Sequence, residues 1–359
     1  MRKSKLSVQK AWALEHYKGM ENLFMPSFSP DFKSLDEDGI RHDVRQSIRH
    51  GFFSTMLSGV GLRTSDEYKL LIKIVNEEAK GKLLTGVIIS QRDLASDLEM
   101  IKYAEEIDST HLFISPAPGL VRTKTEEEIY QIYLQRIQST HLPIVLYANF
   151  NSFNKIGVSL NVFNRLADLP NVVAVKLTQP MNLTTAFYIC ERVSDRLLIG
   201  PVNLDFLPVL VKHYGVQWSG QWNVEAVQSP EKPYAVKFIN LLNSGRFDEA
   251  MMVYSQFEPA LVAFYQLQAP LITRGGHPWA HMKYFQWCGG GNGGLMRDTH
   301  SPVESVPILD AAARKLIRDT FISVGITPVT APEEEFFVGK SAYARGVRAS
   351  DMKETPSYR

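Results

Sequence analysis

The stretch NVVAVKLTQP (171–180) leads from a run of apolar residues directly to a lysine, Lys176. Residues 172–175 are Val, Val, Ala and Val, so a strand formed here would be apolar on both faces. Such strands are typical of parallel sheets that are covered on both sides. The stretch therefore predicts a buried parallel strand. The lysine at its end either reaches solvent along its aliphatic stem or is held dry as a nucleophile.

The same kind of run recurs on both sides of this stretch. Seven further strand-like runs lie at 23–29, 51–59, 82–90, 110–118, 142–150, 196–203 and 216–223. Amphipathic segments separate them, for example SDEYKLLIKIVNEEAKG (65–81), in which Ser65 can cap a helix and Gly81 can end it. Eight strand–helix units predict an α/β protein with a (β/α)₈ TIM barrel. An open doubly wound sheet is the alternative, but no Gly-x-Gly-x-x-Gly follows the first run, which weakens its dinucleotide-binding form.

The pattern divides the chain into four segments. We predict an N-terminal extension over 1–21, the barrel over 22–245, a C-terminal helical region over 246–328 and a tail of low order over 329–359. The helical region shows the helical period without strand-like runs, and the tail is rich in Pro, Glu, Lys, Arg and Ser.

Composition excludes several classes of function. The 359 residues are 45% hydrophobic and 21% charged, which is ordinary for a globular protein, and 39 basic residues balance 38 acidic ones. Such a balance predicts no nucleic-acid partner and no membrane-surface partner. Two cysteines indicate a reducing compartment, and we find neither a signal peptide nor an apolar run of about 18 residues. We therefore expect a cytoplasmic enzyme or binding protein.

Reacting groups of such barrels lie at the C-terminal ends of the strands. Two ionisable side chains stand out there, Lys176 and Tyr147 in LPIVLYANF (142–150). They are one strand–helix unit apart, which places them on adjacent strands. Alternation puts Ala174 on the same face as Lys176, and this small residue leaves room for the lysine stem.

The pair suits imine chemistry. Burial lowers the pKa of an amine, and the neutral amine can attack a ketone. The resulting iminium withdraws electrons from the adjacent carbon–carbon bond, and a neighbouring phenol such as Tyr147 can relay protons. The simpler interpretation of Tyr147 is a buried tyrosine whose hydroxyl bonds a carbonyl.

At this point four stretches resemble one family, the dihydrodipicolinate synthase and N-acetylneuraminate lyase family of class I aldolases. The stretches are the opening strand and helix (22–51), LPIVLYANF (142–150), NVVAVKLTQ (171–179) and LPVLVKHYGVQWSGQWNVEA (207–226). The resemblance runs from about residue 22 to residue 326. It implies that Lys176 forms a Schiff base with a 2-oxo acid such as pyruvate and that Tyr147 shuttles protons. It also implies no separate cofactor and a homo-oligomer, a tetramer or a dimer.

The chain departs from the family at the loop after strand two. The family usually carries Gly-Thr-Thr-Gly-Glu there, whereas this chain has Ser58-Gly59-Val60-Gly61-Leu62. Backbone amides here can still bind a carboxylate, and Ser58 can supply a hydroxyl. We take five residues at the strand ends as candidate substrate contacts: Ser58, Gly59, Val60, Gly200 and Ser219.

Two further departures concern the second substrate. The tyrosine pair usual after strand four is missing from SPAPG (115–119), and NFNSFNKIG (149–157) offers only Lys155 where the family has an arginine. We therefore do not expect dihydrodipicolinate synthesis itself. In QWSGQWN (217–223) either alternate set can face inward, and a pair of tryptophans at the barrel mouth would suit an aromatic or bulky apolar acceptor. Packing of both indoles under the helices is the alternative.

We interpret two further motifs as structural and not as binding sites. CGGGNGG (288–294) lacks the ending of a P-loop and reads as a connection. His277 and His281 are four residues apart but have no evident third ligand, so we predict no metal site. The leading function is a Schiff-base aldolase. The alternatives are a hydro-lyase or decarboxylase that uses the same imine, and a non-catalytic barrel that binds a ligand.

Overall fold

A computed structural model describes residues 6–91, 93–121, 123–148, 159–177, 182–220, 223–272, 276–297 and 306–352. Its strands are β1 (Gly19–Phe24), β2 (Ser54–Leu57), β3 (Leu84–Ile89), β4 (His111–Ile114), β5 (Ile144–Ala148), β6 (Val172–Leu177), β7 (Leu198–Pro201) and β8 (Trp218–Gly220).

Helices connect these strands and continue after them. Up to the last strand they are α1 (Val8–His16), α2 (Glu37–Arg49), α3 (Ser65–Ala79), α4 (Leu94–Glu106), α5 (Pro118–Val121), α6 (Glu126–Ile137), α7 (Leu160–Leu166), α8 (Leu183–Val193) and α9 (Leu207–Tyr214). After β8 come α10 (Tyr234–Asn243), α11 (Phe247–Ile272), α12 (Trp279–Cys288), α13 (Ala311–Ser323), α14 (Glu333–Val338) and α15 (Lys340–Ala344). Short 3₁₀ turns lie at Leu204–Phe206, Val224–Ala226 and Ala349–Asp351.

The eight strands form one parallel sheet in the order β7-β6-β5-β4-β3-β2-β1-β8. Its two ends meet, since the Ser219 hydroxyl of β8 donates to the Pro201 carbonyl of β7 at 2.6 Å. The sheet is thus a nearly closed barrel with helices outside, and the predicted (β/α)₈ fold is confirmed. In this barrel Lys176 pairs in register with Tyr147 on one side and with Gly200 on the other.

Local sequence sets where most barrel helices begin. Side chains of Thr64, Asp93, Thr125, Ser159 and Asn182 each accept the backbone N–H three residues ahead. Such caps satisfy amides that have no partner within the helix. The predicted cap of α3 is off by one residue, because Thr64 performs it and Ser65 is already helical.

The first strand lies earlier than predicted. We placed it over 23–29, and the structure places it over Gly19–Phe24. Pro26 cannot donate a backbone hydrogen bond to a sheet, so the apolar run that follows β1 does not continue the strand. The true strand contains Glu21 and Asn22, which the hydrophobic pattern passed over, and both are buried.

Inside the barrel, the side chain of Trp218 packs against two glycines, Gly200 and Gly220. Trp218 is fully buried, and a Cβ on Gly200 would overlap its indole. A Cβ on Gly220 would lie 2.9 Å from Trp218 Cζ3. Trp218 and Gly220 therefore face inward, and Ser219 faces outward. Trp218 belongs to the core and not to the barrel mouth, while Trp222 lies outside the described residues.

The prediction of a tail of low order is wrong for residues 329–352. This segment forms α14 and α15, and Phe336 packs edge-on against Tyr284 of α12 at 4.8 Å between ring centroids. Arg345 pairs with the Asp36 carboxylate at 3.0 Å, next to the start of α2. The apolar face of this segment, which the composition did not reveal, anchors it on the C-terminal helices. Of the helices that the structure describes, none has both the length and the apolarity to cross a membrane.

The contact between Gly200 and Trp218 predicts the outcome of one substitution. Gly200→Ala should lower the free energy of unfolding by about 1–3 kcal/mol, because overpacking forces a rigid indole out of place. Gly59→Ala is the matched control, since a Cβ there meets no atom within 4 Å. Urea unfolding of both variants measures the difference, and equal stability of the two would contradict this account of the interior.

Candidate active site

The structure brings the two predicted catalytic residues together. Lys176 on β6 is fully buried, and Tyr147 on the adjacent β5 is half-buried. The Lys176 Nζ atom lies 4.8 Å from the centroid of the Tyr147 ring. Both residues occupy the C-terminal part of their strands, where reacting groups of parallel barrels are found. An amine and a phenol therefore meet at this end of the barrel.

Two opposing effects set the charge of this amine. Burial lowers the pKa of Lys176 to about 7, because a dry interior disfavours the ammonium form, and the nearby Glu21 carboxylate acts in the opposite direction. A large fraction of the amine is then neutral at neutral pH. A neutral amine is the form that attacks a carbonyl.

Glu21 is a site residue that the sequence analysis missed. It lies on β1, fully buried, and its Oε1 accepts hydrogen bonds from the Tyr17 hydroxyl at 3.0 Å and the Ser54 hydroxyl at 2.7 Å. His111 Nε2 lies 3.5 Å from the same oxygen. Only a correct start for the first strand could have revealed it, since alternation from Gly19 puts Glu21 on the inner face.

His277 is the second residue that was missed in this role. Burial lowers its pKa to about 4, and the charge of Lys176 adds to the effect, so the imidazole stays neutral near the amine. Its ring stacks on Trp279 at 4.5 Å between centroids. His281, its expected partner in a discounted metal motif, is buried in α12. Within the described ranges, no group of three His, Cys, Asp or Glu side chains is arranged to hold a metal ion.

The loop after β2 forms one wall of a cavity. Ser58 is buried, and its hydroxyl oxygen accepts the Val60 N–H at 3.2 Å. With Gly59, these residues line an open cavity of about 710 Å³ that extends to Ser90 and Gln91 beyond β3. The Val60 amide is thus already engaged within its own loop, while the cavity has room for a small molecule.

The other two candidate contacts, Gly200 and Ser219, have different surroundings. Gly200 faces the interior beside Lys176, yet Trp218 occupies the space above its Cα atom. Ser219 faces outward toward β7 and is buried. A role for either residue in substrate binding stays a prediction.

Comparison with known proteins agrees with this geometry. Residues 30–201 match the Dihydrodipicolinate synthetase family, and this range includes both Tyr147 and Lys176. The matched range covers just under half of the chain. The resemblance seen in the strand-end motifs is thereby confirmed.

Two curated relatives that match this chain are named as synthases. The 4-hydroxy-tetrahydrodipicolinate synthase of Chlorobium phaeovibrioides is 29% identical over 44% of this chain and 54% of its own length. That of Methanopyrus kandleri is 24% identical over 69% of this chain and 81% of its own length. The match with the Chlorobium phaeovibrioides synthase thus covers about half of the length of that protein.

Solved structures share the fold over most of the chain. The dihydrodipicolinate synthase of Aquifex aeolicus matches with a TM-score of 0.69 at 15% identity, over 88% of this chain and 100% of its own. The N-acetylneuraminate lyase of Fusobacterium nucleatum, solved in complex with pyruvate, matches with a TM-score of 0.68 at 17% identity, over 86% and 97%. At these identities the likeness is one of fold.

The lowered pKa of Lys176 predicts how its reactivity depends on pH. Reductive methylation by formaldehyde and cyanoborohydride requires a neutral amine, so its rate at Lys176 should rise through about pH 7 and level off above about pH 8. A lysine in a reference peptide, with an ordinary pKa near 10.4, should continue to gain rate up to about pH 10. Peptide mass spectrometry measures both. A rate at Lys176 that follows the reference peptide would contradict the dry amine.

Proposed function

We propose that this chain is a carbon–carbon lyase of the aldolase type that acts on a 2-oxo acid such as pyruvate through a Schiff base. The observation that carries the proposal is the buried Lys176 amine, with a pKa of about 7, beside Tyr147 at the C-terminal end of the barrel. Covalent attachment to an amine makes the carbon next to the carbonyl acidic without any other cofactor.

The steps follow from the two side chains. The neutral Lys176 nitrogen attacks the keto carbon. The former carbonyl oxygen takes up one proton from the Lys176 nitrogen and one from the Tyr147 hydroxyl, and it leaves as water. The product is an iminium, into which the electrons of an adjacent C–H or C–C bond flow when that bond breaks. This gives an enamine. The proton released from the C–H bond, or from the hydroxyl group of the fragment that leaves as an aldehyde, passes to the Tyr147 phenolate and restores the phenol.

Support for a 2-oxo acid comes from the relatives. The F. nucleatum lyase of the same fold was solved with pyruvate, and curated relatives are named as 4-hydroxy-tetrahydrodipicolinate synthases. In this chain, Val60 and Leu62 replace polar residues of the family's loop after strand two. We therefore propose a 2-oxo acid as the carbonyl substrate and a second substrate other than the semialdehyde of dihydrodipicolinate synthesis. Cytoplasmic location and a homo-oligomer, a tetramer or a dimer, belong to the same proposal.

The proposed Schiff base predicts that a 2-oxo acid can be trapped covalently on Lys176. Pyruvate and cyanoborohydride should add one pyruvate-derived group to the intact chain, and peptide mapping should place it on Lys176. Lys176→Arg should abolish the adduct, because a guanidinium does not lose its proton near neutral pH. Lys10→Arg is the matched control, since Lys10 is a second buried lysine, bonded to the Ala167 carbonyl in another part of the fold.

Three outcomes separate the candidate functions. Failure to trap any of a panel of 2-oxo acids on Lys176 would refute the proposal. Retained ligand affinity in Lys176→Arg without any wild-type adduct would indicate a binding barrel. A trapped adduct whose product has lost water or carbon dioxide would indicate a hydro-lyase or a decarboxylase.

The proposed proton relay predicts the effect of replacing Tyr147. Exchange of the pyruvate methyl protons with deuterium reports enamine formation and needs no second substrate. Tyr147→Phe should slow this exchange by about 10²–10⁴-fold, the usual contribution of a proton relay, while trapping on Lys176 remains detectable. Proton NMR measures the exchange. An unchanged rate in Tyr147→Phe would assign the relay to another group.

A further inference from the structure

A buried carboxylate faces the reactive lysine from across the barrel. A Cβ placed on Gly220 would lie 2.9 Å from Lys176 Cε and 3.1 Å from Glu21 Oε2. The ends of both side chains therefore border one gap, which exists because residue 220 has no side chain. Glu21 is fully buried, and its Oε2 has no hydrogen-bond partner among the described residues. Such an oxygen is costly to bury unless a cation or a donor faces it.

The other oxygen of Glu21 belongs to a hydrogen-bonded chain that reaches His111. The Thr110 hydroxyl donates its one proton to the Thr85 carbonyl at 2.9 Å. The same Thr110 oxygen lies 2.9 Å from His111 Nδ1. Because the hydroxyl proton is already used, the proton of this second hydrogen bond must be on Nδ1. His111 Nε2 lies 3.2 Å from the Tyr17 hydroxyl, which in turn lies 3.0 Å from Glu21 Oε1.

This chain is fully bonded in two arrangements. In the first, an imidazolium at His111 donates to Tyr17, and Tyr17 donates to a Glu21 carboxylate. In the second, a protonated Glu21 donates to Tyr17, and Tyr17 donates to a neutral His111. The two differ only by the shift of one proton across each bond. Burial and the Glu21 carboxylate raise the pKa of Tyr17 well above its usual value, so its phenol remains a bridge in both.

The ionised arrangement suits the chemistry proposed for Lys176. The iminium nitrogen is cationic, and in a dry interior a cation is stable only with a nearby opposite charge. Glu21 is the acidic residue whose charge acts on Lys176, and its donors Tyr17 and Ser54 hold the carboxylate in place.

We propose that Glu21 is a positioning residue, the buried counter-charge of the Lys176 nitrogen, and that the hydrogen bonds from the Tyr17 and Ser54 hydroxyls to its Oε1 hold the carboxylate in place. This assignment rests on the proposed function, because the iminium exists only if Lys176 reacts with a carbonyl. Glu21 does not itself exchange atoms with the substrate. It acts by favouring the cationic nitrogen over the neutral one.

The titratable groups around the pair are few in the described residues. Tyr147 on β5 and His277, which follows α11, face Lys176, and Tyr17 and His111 face Glu21. The pKa of His277 is about 4 and that of Tyr17 lies well above 10, so neither changes its charge near neutral pH. A shift in the pH profile of Lys176 on removal of Glu21 then reports their mutual interaction.

The test compares Glu21→Gln with Glu225→Gln. Glu225 is another buried glutamate, which bonds Asn22 and Gln286, and its charge is not among those that shift the pKa of Lys176. In Glu21→Gln, the midpoint for reductive methylation of Lys176 by formaldehyde and cyanoborohydride should fall by about one pH unit or more, since an opposite charge is removed. Deuterium exchange into pyruvate should fall at least about tenfold, because the iminium loses its counter-charge. Glu225→Gln should change neither.

An unchanged methylation midpoint in a folded Glu21→Gln variant would overturn the proposal, as would an equal shift in Glu225→Gln. If the Gln variant does not fold, Glu21→Met removes the same charge with a flexible side chain of similar size, and the same outcomes apply to it. Methylation uses formaldehyde and not a 2-oxo acid. A protein that traps none of the 2-oxo acids in the panel therefore refutes the proposed function, while the methylation profile still tests Glu21.

Discussion

The interior of a closed parallel barrel must be filled by side chains, and this requirement underlies the rest of the structure. Here one indole, that of Trp218, occupies space left by Gly200 and Gly220. A third glycine, Gly86, leaves room for the His111 ring. The same packing excludes water from the stem of Lys176, which lowers the pKa of its amine. The side chains that fill the core therefore also set the reactivity of the site.

Charge in this interior requires partners. Glu21, Tyr17, Ser54 and His111 form one bonded group inside the barrel. A second group lies outside β1, where Lys283 of α12 pairs with Asp43 of α2 at 3.1 Å and fastens the C-terminal helices to the barrel. Glu21 and its neighbour Asn22 have different partners because successive side chains of a strand point to opposite faces: the Asn22 amide donates to Ser47 of α2 at 3.2 Å and to Glu225 at 2.9 Å.

The sequence predicted the fold and the central pair well, and the rest of the site poorly. The predicted runs 142–150 and 171–179 contain the observed β5 and β6, since continuous apolar runs between turns are a local signal. Glu21 was missed because a polar residue inside a strand breaks that signal. His277 approaches the lysine only through the path of the chain after α11. The order of residues 329–352 depends on Phe336 finding Tyr284, a contact between distant elements.

The sequence by itself determined the number and parallel arrangement of the strands, the approximate starts of the helices and the placing of Tyr147 beside Lys176. Each of these follows from spacing along the chain, because adjacent strands come from consecutive units. Only the tertiary structure decided that Trp218 and not Ser219 faces inward, and that Glu21 faces the lysine. A period of two residues defines two faces of a strand without saying which one is inside. Contacts across a barrel join residues far apart in sequence, and their distances depend on closure of the whole sheet.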